Sequence, residues 1–285
     1  MSAKWFELTL EVPAAHAEAV GNFLVETGAP GLQVEEHGAS VSLLTYYRSA
    51  PALESVQRYC ADLGALLEPA AARIREIAEQ DWAENWKLNF HPQLVGKRLY
   101  VCPPWETGAP PDRIAIVIEP GMAFGTGQHA TTQGCLIALD RVLQSRSIKH
   151  ALDIGTGSGI LAIALAKLGV PEVWAVDVDP QALEIAKRNA VQNGVQRQVR
   201  FSPDTGAVVG PVEVLVANLF ANLLMDSARR FTDFLSADGL LICSGFLEDD
   251  EQRIQDIYGK LGLRPAWRYE QDHWVTLSLT RPARS

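Results

Sequence analysis

Ala151-Leu-Asp-Ile-Gly-Thr-Gly-Ser-Gly-Ile-Leu161 is the stretch on which the fold of this chain turns. A short apolar run carrying one acid, Asp153, opens into Gly155-x-Gly157-x-Gly159, and a second apolar run starts at Ile160. The first run reads as a buried strand and the second as a helix, with the glycines in the turn between them. Without a Cβ such a turn can bend sharply and approach a ligand, while the helix N-terminus offers unpaired amides to a carboxylate. A dinucleotide GxGxxG fingerprint would need glycine at position 160, where Ile160 stands, so a nicotinamide cofactor fits poorly. Taken alone, the motif could also be a glycine-rich turn with no ligand.

Working outward, strand and helix patterns alternate. Candidate strands cover 150–154, 173–177, 199–202, 212–217 and 239–244, with helices at 159–168, 180–193 and 223–235. The run from Trp274 to Leu279 is expected as a final antiparallel strand closing the sheet edge. Such alternation implies a parallel sheet covered on both faces, with ligands at the carboxyl ends of its strands. Asp177 ends the second strand 22 residues after Gly155, where a carboxylate can accept both hydroxyls of a ribose; the bland alternative is a surface charge. Asp179-Pro180 reads equally well as the start of the next helix. Val214-Leu-Val-Ala-Asn218 is an apolar strand with a polar end, and Asn218 is either an acceptor for an amine hydrogen or a cap for the helix that follows.

Upstream, Trp5 to Val12 alternates as a strand, Ala14 to Thr27 carries a helical apolar stripe stopped by Gly28, 32–35 and 41–46 read as strands, and 51–67 as a helix. This order suits a small α+β, ferredoxin-like unit over 1–72. Ile74, Ala78, Trp82 and Trp86 recur at i, i+4 spacing, which predicts a helical linker over 73–92 with its tryptophans on one face. The strand-rich segment from Gln93 onward belongs with the catalytic domain, 93–285.

The length of 285 residues accommodates two cores, and 47% hydrophobic with 21% charged residues is the balance of a globular protein. A net charge of -9 argues against a broad phosphate-binding surface, so no direct nucleic-acid binding is expected and a basic protein substrate suits the chain better. The N-terminus lacks a signal-peptide core and no apolar run is long enough to span a bilayer, which predicts a cytoplasmic location. Cys60, Cys102, Cys135 and Cys243 are scattered without a CxxC pair and read as small core residues, and the six histidines show no ligand spacing, so no metal is expected.

Glu119-Pro-Gly-Met-Ala-Phe-Gly-Thr-Gly-Gln-His-Ala-Thr-Thr132 resembles the GxAFGTGxHxTT loop of the ribosomal protein L11 methyltransferases, the PrmA family. Gln80-Asp-Trp-Ala-Glu-Asn-Trp-Lys-Leu-Asn-Phe-His-Pro92 and Arg98-Leu-Tyr-Val-Cys-Pro-Pro-Trp105 are similar to the family's connector, and the Trp5 and Trp274 segments extend the resemblance over essentially the whole chain. Ala130 stands where a proline is common in the family, and His273 where glutamate is frequent. The resemblance implies a Rossmann-like class I methyltransferase domain, S-adenosyl-L-methionine as cofactor, and an N-terminal domain that recognises ribosomal protein L11. It further implies methylation of lysine ε-amines and the N-terminal α-amine of that protein. Cofactor contacts carried over fall on Thr132, Gly155, Asp177 and Asn218, joined by Asp153, Gly157 and Gly159 of the glycine-rich turn.

Asn218 and the carbonyl of Leu219 are the candidates to hold the amine. Phe124 and His129 share the family loop, and for His129 a loop-shaping role is preferred to base chemistry. Thr132 is expected to cap the helix beginning near it while its hydroxyl faces the cofactor. Alternatives are a class I methyltransferase acting on another protein amine or on RNA, and a non-catalytic cofactor-binding assembly factor. Oligomeric state is left open by the sequence.

Overall fold

The computed structural model describes residues 4–29, 32–47, 53–63, 72–78, 91–106, 108–119, 125 and 127–281. These divide into two compact units, Met1–Asn89 and Phe90–Ser285.

In the first unit, strand β1 (Lys4–Pro13) leads through a 3-10 turn (Ala14–His16) into helix α1 (Ala17–Glu26). Strands β2 (Gln33–His37) and β3 (Ser40–Tyr47), helix α2 (Leu53–Asp62) and strand β4 (Ala72–Ala78) follow. The sheet order is β2-β3-β1-β4, antiparallel throughout, which is the split βαβ arrangement of a ferredoxin-like sandwich. Leu8, Leu10, Val20, Leu24, Val41 and Leu43 form its buried core, as the period-2 and helical stripes require.

β4 corrects the helical reading of 73–92 over its first residues. Ile74 and Ala78 are four apart, a spacing that a strand's period of two satisfies as well as a helix turn does. Pairing decides between them: β1 has an open side, and Leu8 takes Ile74 as its partner across it. Residues 79–90 of that linker, including Trp82 and Trp86, lie outside the described residues.

The second unit opens with a small sheet of β5 (Gln93–Val95), β6 (Leu99–Cys102) and β7 (Ile114–Val117). Helix α3 (Ala130–Val142) precedes the main alternation: β8 (His150–Ile154), α4 (Ile160–Lys167), β9 (Glu172–Val176), α5 (Pro180–Gln192), β10 (Val199–Ser202) and β11 (Val212–Asn218). Then come α6 (Ala221–Asp226), α7 (Ala228–Phe234), β12 (Leu235–Leu247), α8 (Glu248–Lys260), β13 (Arg264–Gln271) and β14 (Trp274–Thr280).

Seven strands align in the order β10-β9-β8-β11-β12-β14-β13, and all run in one direction except β14, which pairs antiparallel with both of its neighbours. The chain progresses in one direction from β8 to β10 and in the other from β11, so the switch point lies between β8 and β11. The core strands are buried on both faces. Leu136, Leu139, Ile163 and Val216 belong to one apolar layer, and Leu152, Leu215, Phe231 and Tyr258 to the other.

Two expectations change here. β14 is antiparallel as anticipated but is not the edge: β13 pairs outside it. β13 (RPAWRYEQ) has no buried residue, and a proline with alternating charges is what an edge strand tolerates. The expected single helix over 223–235 is two short helices broken at Ser227, which lets Leu224 and Met225 of one and Ala228 and Phe231 of the other bury separately. All four cysteines are buried thiols.

Candidate functional site

The turn after β8 is built as the glycine spacing requires. Gly155, Gly157 and Gly159 have φ of 73°, 53° and 84°, in the left-handed region that side-chain-bearing residues seldom enter. Gly159 is the N-cap of α4 and supplies no side chain to it, and first-turn amides are taken up from within the chain, Ile160 donating to Ser158 Oγ at 3.3 Å and Ala162 to Asp153 Oδ2 at 3.1 Å. An ideal Cβ on Gly159 would sit 3.0 Å from the Ala186 Cβ, so this glycine also lets α5 close against the turn.

Asp177 stands just beyond β9 with its carboxylate turned to the loop. Its Oδ2 accepts from the Gly157 amide at 2.9 Å and its Oδ1 from the Asp179 amide at 3.0 Å. Each oxygen thus uses one acceptor position, and the second position on each suits a pair of vicinal hydroxyls. Asp179 is the N-cap of α5, accepting from Gln181 at 2.8 Å ahead of Pro180, as its helix-start reading had it.

Asp153 sits beneath the turn, fully buried. Its Oδ2 accepts from the Thr156 hydroxyl at 2.6 Å and the Ala162 amide at 3.1 Å, tying strand, turn and helix together. Its Oδ1 has no hydrogen-bond partner among the described residues. Desolvation pushes this carboxyl up to about 7 against the opposing pull of its two donors.

Asn218 ends β11, directly across the switch point from Gly155, and its Nδ2 donates to the Thr132 hydroxyl at 3.4 Å. The cap reading of Asn218 does not hold: the N-cap of α6 is Phe220. Thr132 is not a cap either, since α3 begins at Ala130 and its N-cap is His129. Thr132 lies in the first turn of α3, fully buried, with its hydroxyl toward Asn218. His129 Nδ1 accepts from the Thr131 amide at 3.3 Å, and its ring meets Trp274 edge-on at 5.0 Å. Partial desolvation lowers the imidazole below its ordinary pKa, which favours the neutral ring that accepts this bond. Phe124 lies outside the described residues.

Sequence reading missed the side chains that hold this end of the sheet together. Ser158 donates to the Gly125 carbonyl at 2.6 Å, joining the family loop to the glycine-rich turn. Asn189 donates to the Ser158 carbonyl at 2.8 Å from α5, and Asn193 exchanges two bonds with the Val117 backbone, at 2.6 and 2.9 Å. Their signal was present, because two asparagines on a helix that expose little of themselves need partners, but the partners are 31 and 76 residues distant.

Gly155, Asp177 and Asn218 thus converge at the carboxyl ends of neighbouring strands, and Thr132 joins them from α3. Among the described residues no group of histidine, cysteine, aspartate or glutamate is arranged to hold a metal. No helix of the described residues is long and apolar enough to cross a membrane.

The chain matches the family model described as ribosomal protein L11 methyltransferase (PrmA) over residues 4–282. It is 34% identical to a ribosomal protein L11 methyltransferase of Pelobacter propionicus over an alignment covering 100% of both chains. A protein of the same description from Symbiobacterium thermophilum is 40% identical, over 74% of this chain and 69% of that one. The crystal structure of a ribosomal protein L11 methylase from Lactobacillus delbrueckii subsp. bulgaricus superposes with a TM-score of 0.62 at 30% identity, covering 67% of this chain and 98% of that chain.

Proposed function

Because the chain belongs to the ribosomal protein L11 methyltransferase family, we propose that its second unit transfers methyl groups from S-adenosylmethionine to lysine ε-amines and the N-terminal α-amine of ribosomal protein L11, with the first unit recognising that substrate. The observation that carries the reading is the meeting of Gly155, Asp177 and Asn218 at the switch point. The residues fit the cofactor. The bare, left-handed glycines of the turn let the backbone approach it closely, the remaining acceptor positions of Asp177 suit its ribose, and Thr132 with Asn218 lines the neighbouring edge.

The bound cofactor supplies a methyl group already activated by its sulfonium. The chain must therefore align a neutral amine behind that carbon rather than provide a strong base. Asn218 Oδ1 and the Leu219 carbonyl accept the amine hydrogens and aim its lone pair. Deprotonating a lysine of ordinary pKa costs about 4.6 kcal/mol at pH 7, and desolvation at this edge reduces that cost. His129 is committed to the helix cap and its edge-on contact with Trp274, and water receives the proton. An acidic chain of net charge -9 suits a basic protein substrate in the cytoplasm better than RNA.

The test is to incubate the purified chain with S-adenosylmethionine and recombinant ribosomal protein L11 and to follow product mass. Stepwise gain of methyl masses, mapped to amines by fragmentation, is expected. Cofactor binding with no transfer to L11 would reject this substrate and leave a methyltransferase acting on another amine or RNA, or a non-catalytic assembly factor.

A further inference from the structure

Leu219 follows Asn218, and two glycines face it from the strands on either side of β11. An ideal Cβ at Gly155, after β8, would lie 2.5 Å from Leu219 Cδ2, with Leu219 Cγ and Cδ1 as the next nearest atoms. An ideal Cβ at Gly245, in β12, would run into the Leu219 carbonyl oxygen and lie 2.8 Å from its carbonyl carbon and 3.0 Å from its nitrogen. The side chain of Leu219 is therefore seated on one glycine and its backbone on the other.

Gly245 has φ of 98° and marks a break in register: Ser244 pairs with Thr276 and Phe246 with Val275, leaving Gly245 as the extra residue of a bulge. Phe246 turns into the core at 2% exposure while Gly245 presents its bare Cα to Leu219. The preceding residue is fixed independently. Ser244 receives the Leu219 N–H on its carbonyl at 2.9 Å, and its hydroxyl donates to the Val275 carbonyl and accepts from Thr276, both at 2.8 Å. The N–H of the peptide unit before Leu219 is anchored and the carbonyl of the unit after it rests on Gly245, so the backbone is held on both sides of the Leu219 Cα.

We propose that Gly245 is a positioning residue for methyl transfer: its bulge sets the direction of the Leu219 carbonyl, while Gly155 seats the Leu219 side chain, so that the cofactor turn and the amine acceptor move as one body. This rests on the methyltransferase reading above. Any side chain at Gly245 must displace the carbonyl that receives the amine, and a misplacement near 1 Å costs roughly a hundredfold in rate.

The full-length chain is tested by single-turnover transfer to ribosomal protein L11 at saturating S-adenosylmethionine, and by calorimetric titration with S-adenosylhomocysteine. Gly245→Ala is expected to lower the transfer rate roughly a hundredfold while the dissociation constant changes by less than about threefold. A merely structural role would move both together, and that outcome, or an unchanged rate, overturns the proposal. Since Gly245→Ala also strains a left-handed backbone, a second comparison stands beside it. Gly155→Ala should weaken S-adenosylhomocysteine binding, and adding Leu219→Ala should restore about tenfold or more, because the new methyl meets only the Leu219 side chain while backbone strain is common to both variants. Additive losses would overturn the coupling. If the wild-type chain bound no S-adenosylhomocysteine, the functional reading itself would fall, and with it this inference.

Discussion

Asn218 and Thr132, 86 residues apart in the chain, meet through a 3.4 Å hydrogen bond in which the asparagine amide donates to the threonine hydroxyl. The bond joins the end of β11 to the first turn of α3 and orients the amide, leaving the Asn218 carbonyl oxygen as the acceptor for an amine hydrogen. Asn218→Ala should lower the single-turnover rate at saturating cofactor by about ten- to a thousandfold, or about 1.4 to 4 kcal/mol of transition-state stabilisation. Asn218→Asp keeps an acceptor but stabilises the protonated lysine that cannot attack, so its rate should recover with rising pH more steeply than that of the wild type. Wild-type rates in both variants would reduce Asn218 to a binding role.

Asp177→Ala removes the carboxylate that accepts from Gly157 and Asp179 and is offered to the ribose. Affinity for S-adenosylmethionine should fall by roughly 1.5 to 3 kcal/mol, about ten- to over a hundredfold, with the protein still folded. An unchanged dissociation constant by calorimetric titration would take Asp177 out of the site.

His129 shapes the loop through its cap on Thr131. His129→Ala should cost about 1 kcal/mol of stability, and His129→Asn, which can also cap, distinctly less. Because burial depresses the folded-state pKa, the imidazole's contribution is present above its ordinary pKa and is lost as pH falls through the lowered value. The pH dependence of transfer should keep its shape in His129→Asn. Loss of the acid-side limb of that profile would make His129 a proton acceptor after all.

Asp153 behaves in the opposite sense. Its folded-state pKa of about 7 lies above the ordinary carboxyl value of 3.8, so folding favours the protonated form. The stability this confers is complete below the unfolded pKa and is lost as pH rises through about 7. Between pH 5 and 7 the loss is on the order of 2 kcal/mol. Asp153→Asn should remove the dependence, so wild type should gain on the variant in melting temperature as pH is lowered from 8 to 5. A constant gap across that range would show that Asp153 does not titrate there.

A fragment beginning at Gln93 keeps the seven-stranded sheet and both of its apolar layers. It should bind S-adenosylhomocysteine about as well as the full chain but methylate intact ribosomal protein L11 far less efficiently. Full activity of the fragment would deny the first unit a recognition role.

The alternation after Ala151 and the glycine spacing made the parallel sheet, the left-handed turn after β8 and the place of Asp177 at a strand end legible, because each is written in local residues: apolar runs, absent Cβ atoms, a carboxylate at a strand end. The start of the 73–92 segment, through Ala78, is a strand rather than the expected helix because Ile74 and Ala78 satisfy two periods at once, and only an open side on β1 chose between them. β13 escaped notice because an edge strand needs no apolar face.

What the sequence determined by itself, then, was the set of conformations each segment could adopt: where the backbone must turn left-handed at Gly155, Gly157 and Gly159, and which strands could be buried on both faces. What only the tertiary structure decided was which distant groups meet. Thr132 faces Asn218, the His129 ring meets Trp274 edge-on, and Leu219 lies between Gly155 and Gly245. Such partners lie tens of residues apart, and a buried polar or backbone group is satisfied by whatever the packed fold brings to it, which no local pattern encodes.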